Sequence, residues 1–307
     1  MGALAFLFAG QGAQHPGMGR ELCELSPAAS HVFEVADTLR PGTSAQTFSG
    51  TSEELTITAN TQPCLFCTDL AAAEALRASG FEPDAVAGFS LGEVAALTFA
   101  HAMTLQDGFS YVVERGRAMQ DSAEAHPGAM VAVVKLDDAV VEDLCRRFDQ
   151  VYPVNYNCPG QLVVAGVPDE LELFKAVVKE AGGRAIPLAV SGGFHSPFMR
   201  EASATLATVL EHVALCAPQM PVYANLDAQP YPSDTASIRS AMASQVSHPV
   251  RWRETIERMR ACGIDTFVEV GPGKTLSGLV KKIDADATVL RVADAATFEE
   301  TCNALRA

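Results

Sequence analysis

Residues Ala85-Val86-Ala87-Gly88-Phe89-Ser90-Leu91-Gly92-Glu93 decide how this chain is read. Ala85 to Ala87 is a short apolar run of strand character, and Leu91 to Ala102 reads as a helix. Gly88-Phe89-Ser90-Leu91-Gly92 therefore falls on the turn between them and has the G-x-S-x-G form of a nucleophile elbow. The flanking glycines remove Cβ clashes, so that a serine hydroxyl can project into a cleft. The backbone N–H of Leu91, at the helix N-terminus, points to where negative charge would develop.

The strand-turn-helix rhythm extends in both directions. Ala3 to Ala9 is a continuous apolar run ended by Gly10, as in a buried parallel strand. Thr51 to Glu54 has capping-box spacing. Helices are expected over Gln62 to Ser79, with Gly80 as C-cap, and over Leu105 to Met119. Between 128 and 190 the order changes. Strands at Met130–Val134, Tyr152–Tyr156, Leu162–Ala165 and Ala185–Val190 enclose helices at Asp137–Phe148, Asp-capped, and Pro168–Ala181. That order, β-α-β-β-α-β, is ferredoxin-like. Strands at Val222–Asn225 and Thr266–Val270 then resume, with helices near Phe198–Val213, Arg253–Ala261 and Thr275–Ile283. The expected architecture is α/β, a hydrolase-like domain with a parallel central sheet (1–126 and 192–307) interrupted by a ferredoxin-like α+β insert (127–191).

Composition excludes several classes of function. The 307 residues carry 22 Lys and Arg against 37 Asp and Glu, a net charge of −15, so a nucleic-acid or anionic-membrane surface is not expected. Hydrophobic residues make up 48% and charged residues 19%, which suits a globular chain with ample core. Ala3 to Ala9 is too short to span a bilayer and lacks the basic n-region of a signal peptide. Phe6 stands where a myristoylation motif wants Ser or Thr. A cytoplasmic address follows. Of eight cysteines only Cys64 and Cys67 form a C-x-x-C, with no second pair or spaced histidines for zinc. They read as buried thiols in a helix, and no metal site or disulfide framework is expected.

A serine nucleophile needs a base. Among seven histidines, His195 in Gly192-Gly193-Phe194-His195-Ser196-Pro197 follows a strand, where α/β active sites gather. His248 is its rival; His31, His126 and His212 read as solvated. Two glycine motifs fail as nucleotide loops. Gly10-Gln11-Gly12 has His15 at the third glycine position of the dinucleotide fingerprint, and Gly271-Pro272-Gly273-Lys274-Thr275 lacks its first glycine because Val268 stands there.

Taken in order, further segments carry a resemblance: Phe8-Ala9-Gly10-Gln11-Gly12-Ala13-Gln14, the elbow with Glu93, Glu114-Arg115-Gly116-Arg117-Ala118-Met119-Gln120, Asn155-Tyr156-Asn157-Cys158-Pro159-Gly160-Gln161, Phe194-His195-Ser196, His248-Pro249-Val250-Arg251-Trp252 and Glu269-Val270-Gly271-Pro272-Gly273-Lys274. Nearly end to end, the chain resembles the malonyl-CoA:acyl carrier protein transacylases of type II fatty acid synthesis. The resemblance implies that Ser90 attacks the malonyl thioester and that His195 is its base, oriented by the backbone carbonyl of Gln245. It implies an oxyanion hole from the N–H groups of Gln11 and Leu91. Arg115 would hold the malonyl carboxylate, a fit for a planar guanidinium that lysine cannot match. Phe194, Met119 and Asn157 would complete the substrate site, with the bulk of Phe194 crowding an α-substituent.

The implied cycle is ping-pong. Malonyl-CoA acylates Ser90, and the phosphopantetheine thiol of an acyl carrier protein then takes the malonyl group. It needs no cofactor beyond the CoA thioester substrate and the phosphopantetheine on the partner, and a monomer is expected. One departure stands out: the family usually has histidine where this chain has Phe89, which bears on the hydrogen bonding around the bound carboxylate. Acyl carrier proteins are generally acidic, so Arg251, Arg253, Lys274, Lys281 and Lys282 are the candidates to attract one. Two other activities fit the same Ser-His pair, a polyketide-pathway acyltransferase and an acyl-thioester hydrolase.

Overall fold

The computed structural model of the protein describes residues 2–190 and 192–307. Strands β1 (Ala3–Phe8), β2 (Ala85–Gly88), β7 (Val222–Tyr223), β8 (Ile264–Val270) and β9 (Thr288–Val292) form one sheet, and β3 (Ala129–Val134), β4 (Val151–Cys158), β5 (Gln161–Gly166) and β6 (Arg184–Pro187) form another. The first sheet has the order β7-β2-β1-β8-β9, and every pairing in it is parallel. Both of its faces are covered, as a parallel sheet requires. Alternate residues of β1 serve two cores: Leu4, Phe6 and Phe8 pack in one, Ala5 and Leu7 in the other. The same alternation sends Val86 to the first core and Ala85 and Ala87 to the second.

The second sheet is antiparallel with the order β4-β5-β3-β6, the arrangement a β-α-β-β-α-β chain gives when its two helices cover one face. Val131, Val133, Leu162 and Val164 meet those helices, Asp138–Cys145 and Pro168–Glu180, in a core of their own. The opposite residues, Met130, Ala132, Val163 and Ala165, join the first core of the large sheet, so the two sheets share packing. Asn155 of β4 also bridges Val250, which joins the small sheet to the loop that follows Gln245 and carries His248.

The Thr58–Ala78 helix is buried almost all round and continues through Pro63. The expected start at Gln62 is therefore four residues late. Thr58 and Thr61 are themselves buried, and the Thr61 hydroxyl donates to the carbonyls of Leu55 and Ile57, so tertiary packing extends the helix upstream of the expected start. Cys64 and Cys67 lie on this helix, both fully buried, and all eight cysteines are free.

Other boundaries shift too. The helix after the elbow ends at Phe99, short of Ala102, because Ala100 leaves it and His101 takes a positive φ of 59°. The next helix runs on to Ala125. β6 stops at Pro187, and β7 stops at Tyr223, which leaves Asn225 in a loop. Asp137 holds the N-cap position of its helix, although its side chain makes no capping bond. The helix Thr235–Gln245, together with β9 and the Ala295–Arg306 helix, carried no expectation from the sequence. Among the described residues no helix is long and apolar enough to cross a membrane.

Candidate active site

The C-terminal ends of β1, β2 and β7 converge, as ligand sites do in open α/β sheets. Gln11 follows β1, Ser90 follows β2 and Asn225 follows β7. The glycines of the elbow are fixed by contact. A Cβ on Gly88 would lie 1.9 Å from the carbonyl carbon of Gly92, and one on Gly92 would lie 2.2 Å from the Phe8 carbonyl oxygen. The helix N-terminus thus rests directly on the ends of β1 and β2. Gly88→Ala is expected to cost at least about 2–3 kcal/mol by overpacking. Gly278→Ala is the control: nothing lies within 4 Å of its added Cβ, and it is expected to gain up to about 1 kcal/mol in its helix. Urea unfolding of the two variants checks both signs, and equal effects would contradict the packing argument.

Ser90 has φ 54° and ψ −101°, and His195 has φ 61°. Non-glycine residues rarely adopt positive φ, and such strain persists only where neighbours enforce it. His195 is buried, and its Nε2 lies 2.7 Å from Ser90 Oγ. Its Nδ1 faces two backbone carbonyls, Gln245 at 3.1 Å and His248 at 3.2 Å. Carbonyls only accept, so Nδ1 carries the proton and Nε2 is left to accept from the serine hydroxyl. His248, the rival base, is exposed and enters the site only through its carbonyl; its Nδ1 lies 2.8 Å from the Ser244 carbonyl oxygen. Burial and then the nearby Arg115 charge lower the His195 pKa to about 4, so the ring is neutral at neutral pH.

Arg115 lies on the Leu105–Ala125 helix, which crosses the Thr58–Ala78 helix where a Cβ on Gly116 would come within 3.1 Å of Ala59 Cα. That close crossing seats the guanidinium inside the protein, 1% exposed. It donates to Gln62 Oε1 at 2.8 Å, Gln245 Oε1 at 2.7 Å and Ser90 Oγ at 3.2 Å. All three acceptors are neutral. Among the described residues no salt bridge reaches Arg115, and its Nε has no partner. The nearby Glu93 is a weak counterion, because burial raises its pKa to about 7. Arg115 is a buried cation short of an anion, and burial correspondingly lowers its own pKa.

The structure brings Ser90, His195, Arg115 and Gln245 into direct contact. Leu91 follows Ser90 at the start of its helix. Gln11 lies in the β1 loop, packed on the elbow so closely that a Cβ on Gly10 would sit 2.8 Å from the Phe89 carbonyl oxygen. Met119 Sδ lies 3.2 Å from Gln62 Nε2, one residue removed from the guanidinium. Phe194 is buried in the first core, where its ring lies 3.1 Å from a Cβ built on Gly192. Asn157 lies on β4 with its Oδ1 buried and unpartnered, and no hydrogen bond among the described residues joins it to Ser90 or Arg115. The Phe89 ring packs on Trp252 at 5.4 Å in the second core, where Trp252 Nε1 has no acceptor.

Arg251 and Arg253 are already paired with Glu254 and Glu257, whereas Lys274, Lys281 and Lys282 are exposed and unpaired by any acid among the described residues. Sequence reasoning missed Gln62, Asn225, Glu93 and Tyr231, and found only the backbone of Gln245. Their hydrogen bonds to Arg115, Ser90 and Glu93 span between 53 and 155 residues of sequence, and no local spacing announces such contacts.

A family model described as the acyl transferase domain matches residues 5–296. The malonyl CoA-acyl carrier protein transacylase of Bacillus subtilis is 40% identical and covers 100% of this chain, with 98% of its own length matched. That of Escherichia coli K12 is 38% identical over 92% of this chain and 93% of its own. Among solved structures, the Clostridium perfringens transacylase superposes with a TM-score of 0.95 at 36% identity, covering 99% and 97% of the two chains. A type II PKS acyl-carrier protein in complex with its malonyl-transacylase gives 0.94 at 35% identity, covering 98% and 99%. With a nucleophile elbow, a serine-histidine pair and full-length similarity in one chain, the protein belongs to the malonyl CoA-acyl carrier protein transacylase family.

Proposed function

We propose that the protein transfers a malonyl group from malonyl-CoA to the phosphopantetheine thiol of an acyl carrier protein by way of a malonyl-Ser90 ester. The observation that carries this is the placement of an uncompensated, buried Arg115 guanidinium 3.2 Å from a serine oxygen that His195 also contacts. In a malonyl thioester the carboxylate is one methylene from the carbonyl carbon. A carboxylate held by Arg115 therefore leaves that carbon within reach of Oγ.

His195 Nε2 accepts the hydroxyl proton as Oγ attacks the thioester carbonyl, and the imidazolium returns it to the departing CoA thiolate. The N–H groups of Leu91 and Gln11 receive the developing oxyanion. In the second half-reaction His195 takes the proton of the carrier thiol, the thiolate attacks the ester, and Oγ recovers its proton. Both halves exchange one acyl bond for another, so the chemistry asks for no metal or redox cofactor. Among the described residues two carbonyls and no carboxylate orient His195, so Nε2 stays neutral until the serine proton arrives. A cytoplasmic setting suits a chain of free cysteines.

The complex seen for the PKS relative favours carrier protein over water as acceptor, since a hydrolase needs no such partner. Parallel double-reciprocal lines with malonyl-CoA and holo acyl carrier protein as the varied substrates test the cycle; intersecting lines would reject it.

The base also sets a pH limit. Protonation of His195 disables it, and its pKa is lowered from 6.5 to about 4. Acylation is therefore expected to stay level from neutrality down to about pH 5 and to fall as pH drops through about 4. The same shift makes the unfolded chain the stronger proton binder between those two values, so acid also erodes stability in that window. A rapid pH jump on folded enzyme separates the two effects. A midpoint near 6.5 would mean that the base is not the buried histidine.

A further inference from the structure

The strained Ser90 peptide is gripped on both sides by side-chain amides. Asn225 Oδ1 accepts the Ser90 N–H at 2.7 Å, and Gln245 Nε2 donates to the Ser90 carbonyl at 2.7 Å. Asn225 Nδ2 also donates to the Gly88 carbonyl at 2.7 Å, so one side chain spans the elbow from the end of the strand to the start of the helix. Asn225 is fully buried and is itself tied down. Its backbone N–H donates to Glu93 Oε2 at 2.5 Å, the Tyr231 hydroxyl donates to Glu93 Oε1, and its carbonyl accepts from the Arg251 N–H at 2.9 Å. Glu93 lies in the first turn of the helix that Ser90 opens. The chain of bonds therefore closes on itself, from Ser90 through Asn225 to Glu93 and back along the helix.

We infer that Asn225, held by Glu93 and Tyr231, is a positioning residue for the nucleophile. A helix N-terminus presents several backbone N–H groups without partners, and any of them can draw on a nearby oxygen. By occupying the Ser90 N–H, Asn225 leaves the next one, on Leu91, as the first that faces the reacting carbonyl. By fixing the Ser90 N–H and the Gly88 carbonyl together, it holds the positive φ that aims Oγ at His195 Nε2. Loss of this hold lets the serine relax toward an ordinary conformation, with Oγ displaced from its base. Errors of about 1 Å in such placements cost up to roughly 10²-fold in rate.

The inference rests on Ser90 being the nucleophile of the proposed reaction. It is tested with Asn225→Ala and Tyr231→Phe in the full chain, using a small uncharged fluorophosphonate that phosphonylates activated serines. Its Ser90–O–P bond forms as fluoride leaves and His195 takes the hydroxyl proton. The probe needs neither Arg115 nor the carrier protein. Two quantities are read: the fraction labelled at completion and the rate constant of labelling. Expected for Asn225→Ala is a full labelled fraction with a rate constant lower by roughly 10- to 100-fold, and for Tyr231→Phe the same pattern at about 3- to 10-fold. The KM for malonyl-CoA should change by less than about 3-fold, because ground-state binding is not the affected step.

A labelled fraction that falls while the labelled molecules react at the normal rate would mean that these bonds only maintain the fold, and would overturn the inference. So would an unchanged rate constant with a full fraction. If Asn225→Ala does not fold, Tyr231→Phe decides. Wild-type protein that fails to label at Ser90 would instead reject the proposed nucleophile.

Discussion

Replacing Ser90 with alanine is expected to lower malonyl transfer to the carrier protein by more than roughly 10⁴-fold, with stability nearly unchanged. The size follows from the site's construction. Among the described residues no other hydroxyl meets His195 Nε2, whose contact with Ser90 Oγ is 2.7 Å. In the proposed cycle Arg115 and the N–H groups of Gln11 and Leu91 bind and polarise the thioester, but none of them can accept the acyl group. Among the described residues the oxygen removed bonds only to His195 and Arg115, and Arg115 keeps Gln62 and Gln245 as acceptors. The thermal midpoint should therefore stay within a few degrees of the parent. Residual turnover above about 1% with malonyl-CoA would move the nucleophile elsewhere.

The second large effect is on selectivity. Arg115→Ala is expected to reduce kcat/KM for malonyl-CoA by roughly 10²- to 10³-fold, the usual range for losing a buried charge-assisted pair, and to leave acetyl-CoA within a few-fold of its original low rate. The free protein already supplies the reason: among the described residues its buried guanidinium bonds only to neutral oxygens, so a carboxylate entering the site meets a charge that Glu93 offsets only weakly. An acetyl group offers nothing in return. Arg115→Lys should recover only part of the loss, since a single ammonium cannot serve Gln62, Gln245 and a carboxylate in one plane. Parallel steady-state measurements with the two CoA esters check this. Equal losses on both would show that Arg115 acts on the nucleophile and not on acyl choice.

The elbow was legible because its demand is local. Strand, glycine, serine, glycine and helix lie within a dozen residues, and the contacts of Gly88 and Gly92 show why nothing larger fits. All strands of the two sheets except β9 were legible for a similar reason, since apolar runs such as Ala3–Phe8 must be buried. His195 was half legible, as a histidine after a strand with His248 as a rival, and its separation from that rival needed the fold. Arg115 carries no periodic signal at all; only the resemblance singled it out.

The hydrogen-bonding frame was the least legible. Asn225 meets Ser90 across 135 residues and Gln245 meets Arg115 across 130, and an amide in a loop looks like any other until the chain has folded. The start of the Thr58–Ala78 helix was read four residues late because no side-chain cap marks it and burial of its first turn sets it. Phe89 marked a departure at the acyl pocket, yet its ring packs against Trp252 in the second core, and the bonds to Arg115 come from Gln62, Gln245 and Ser90.

The central claim is a covalent malonyl-Ser90 intermediate passed on to a carrier thiol. Intact-protein mass spectrometry after mixing with malonyl-CoA tests it most directly. The predicted result is one malonyl adduct per chain, absent in Ser90→Ala, far weaker with acetyl-CoA, and removed on adding holo acyl carrier protein as that protein gains the same mass. Steady release of CoA with no adduct and no malonylated carrier would contradict the account and make the protein a thioester hydrolase.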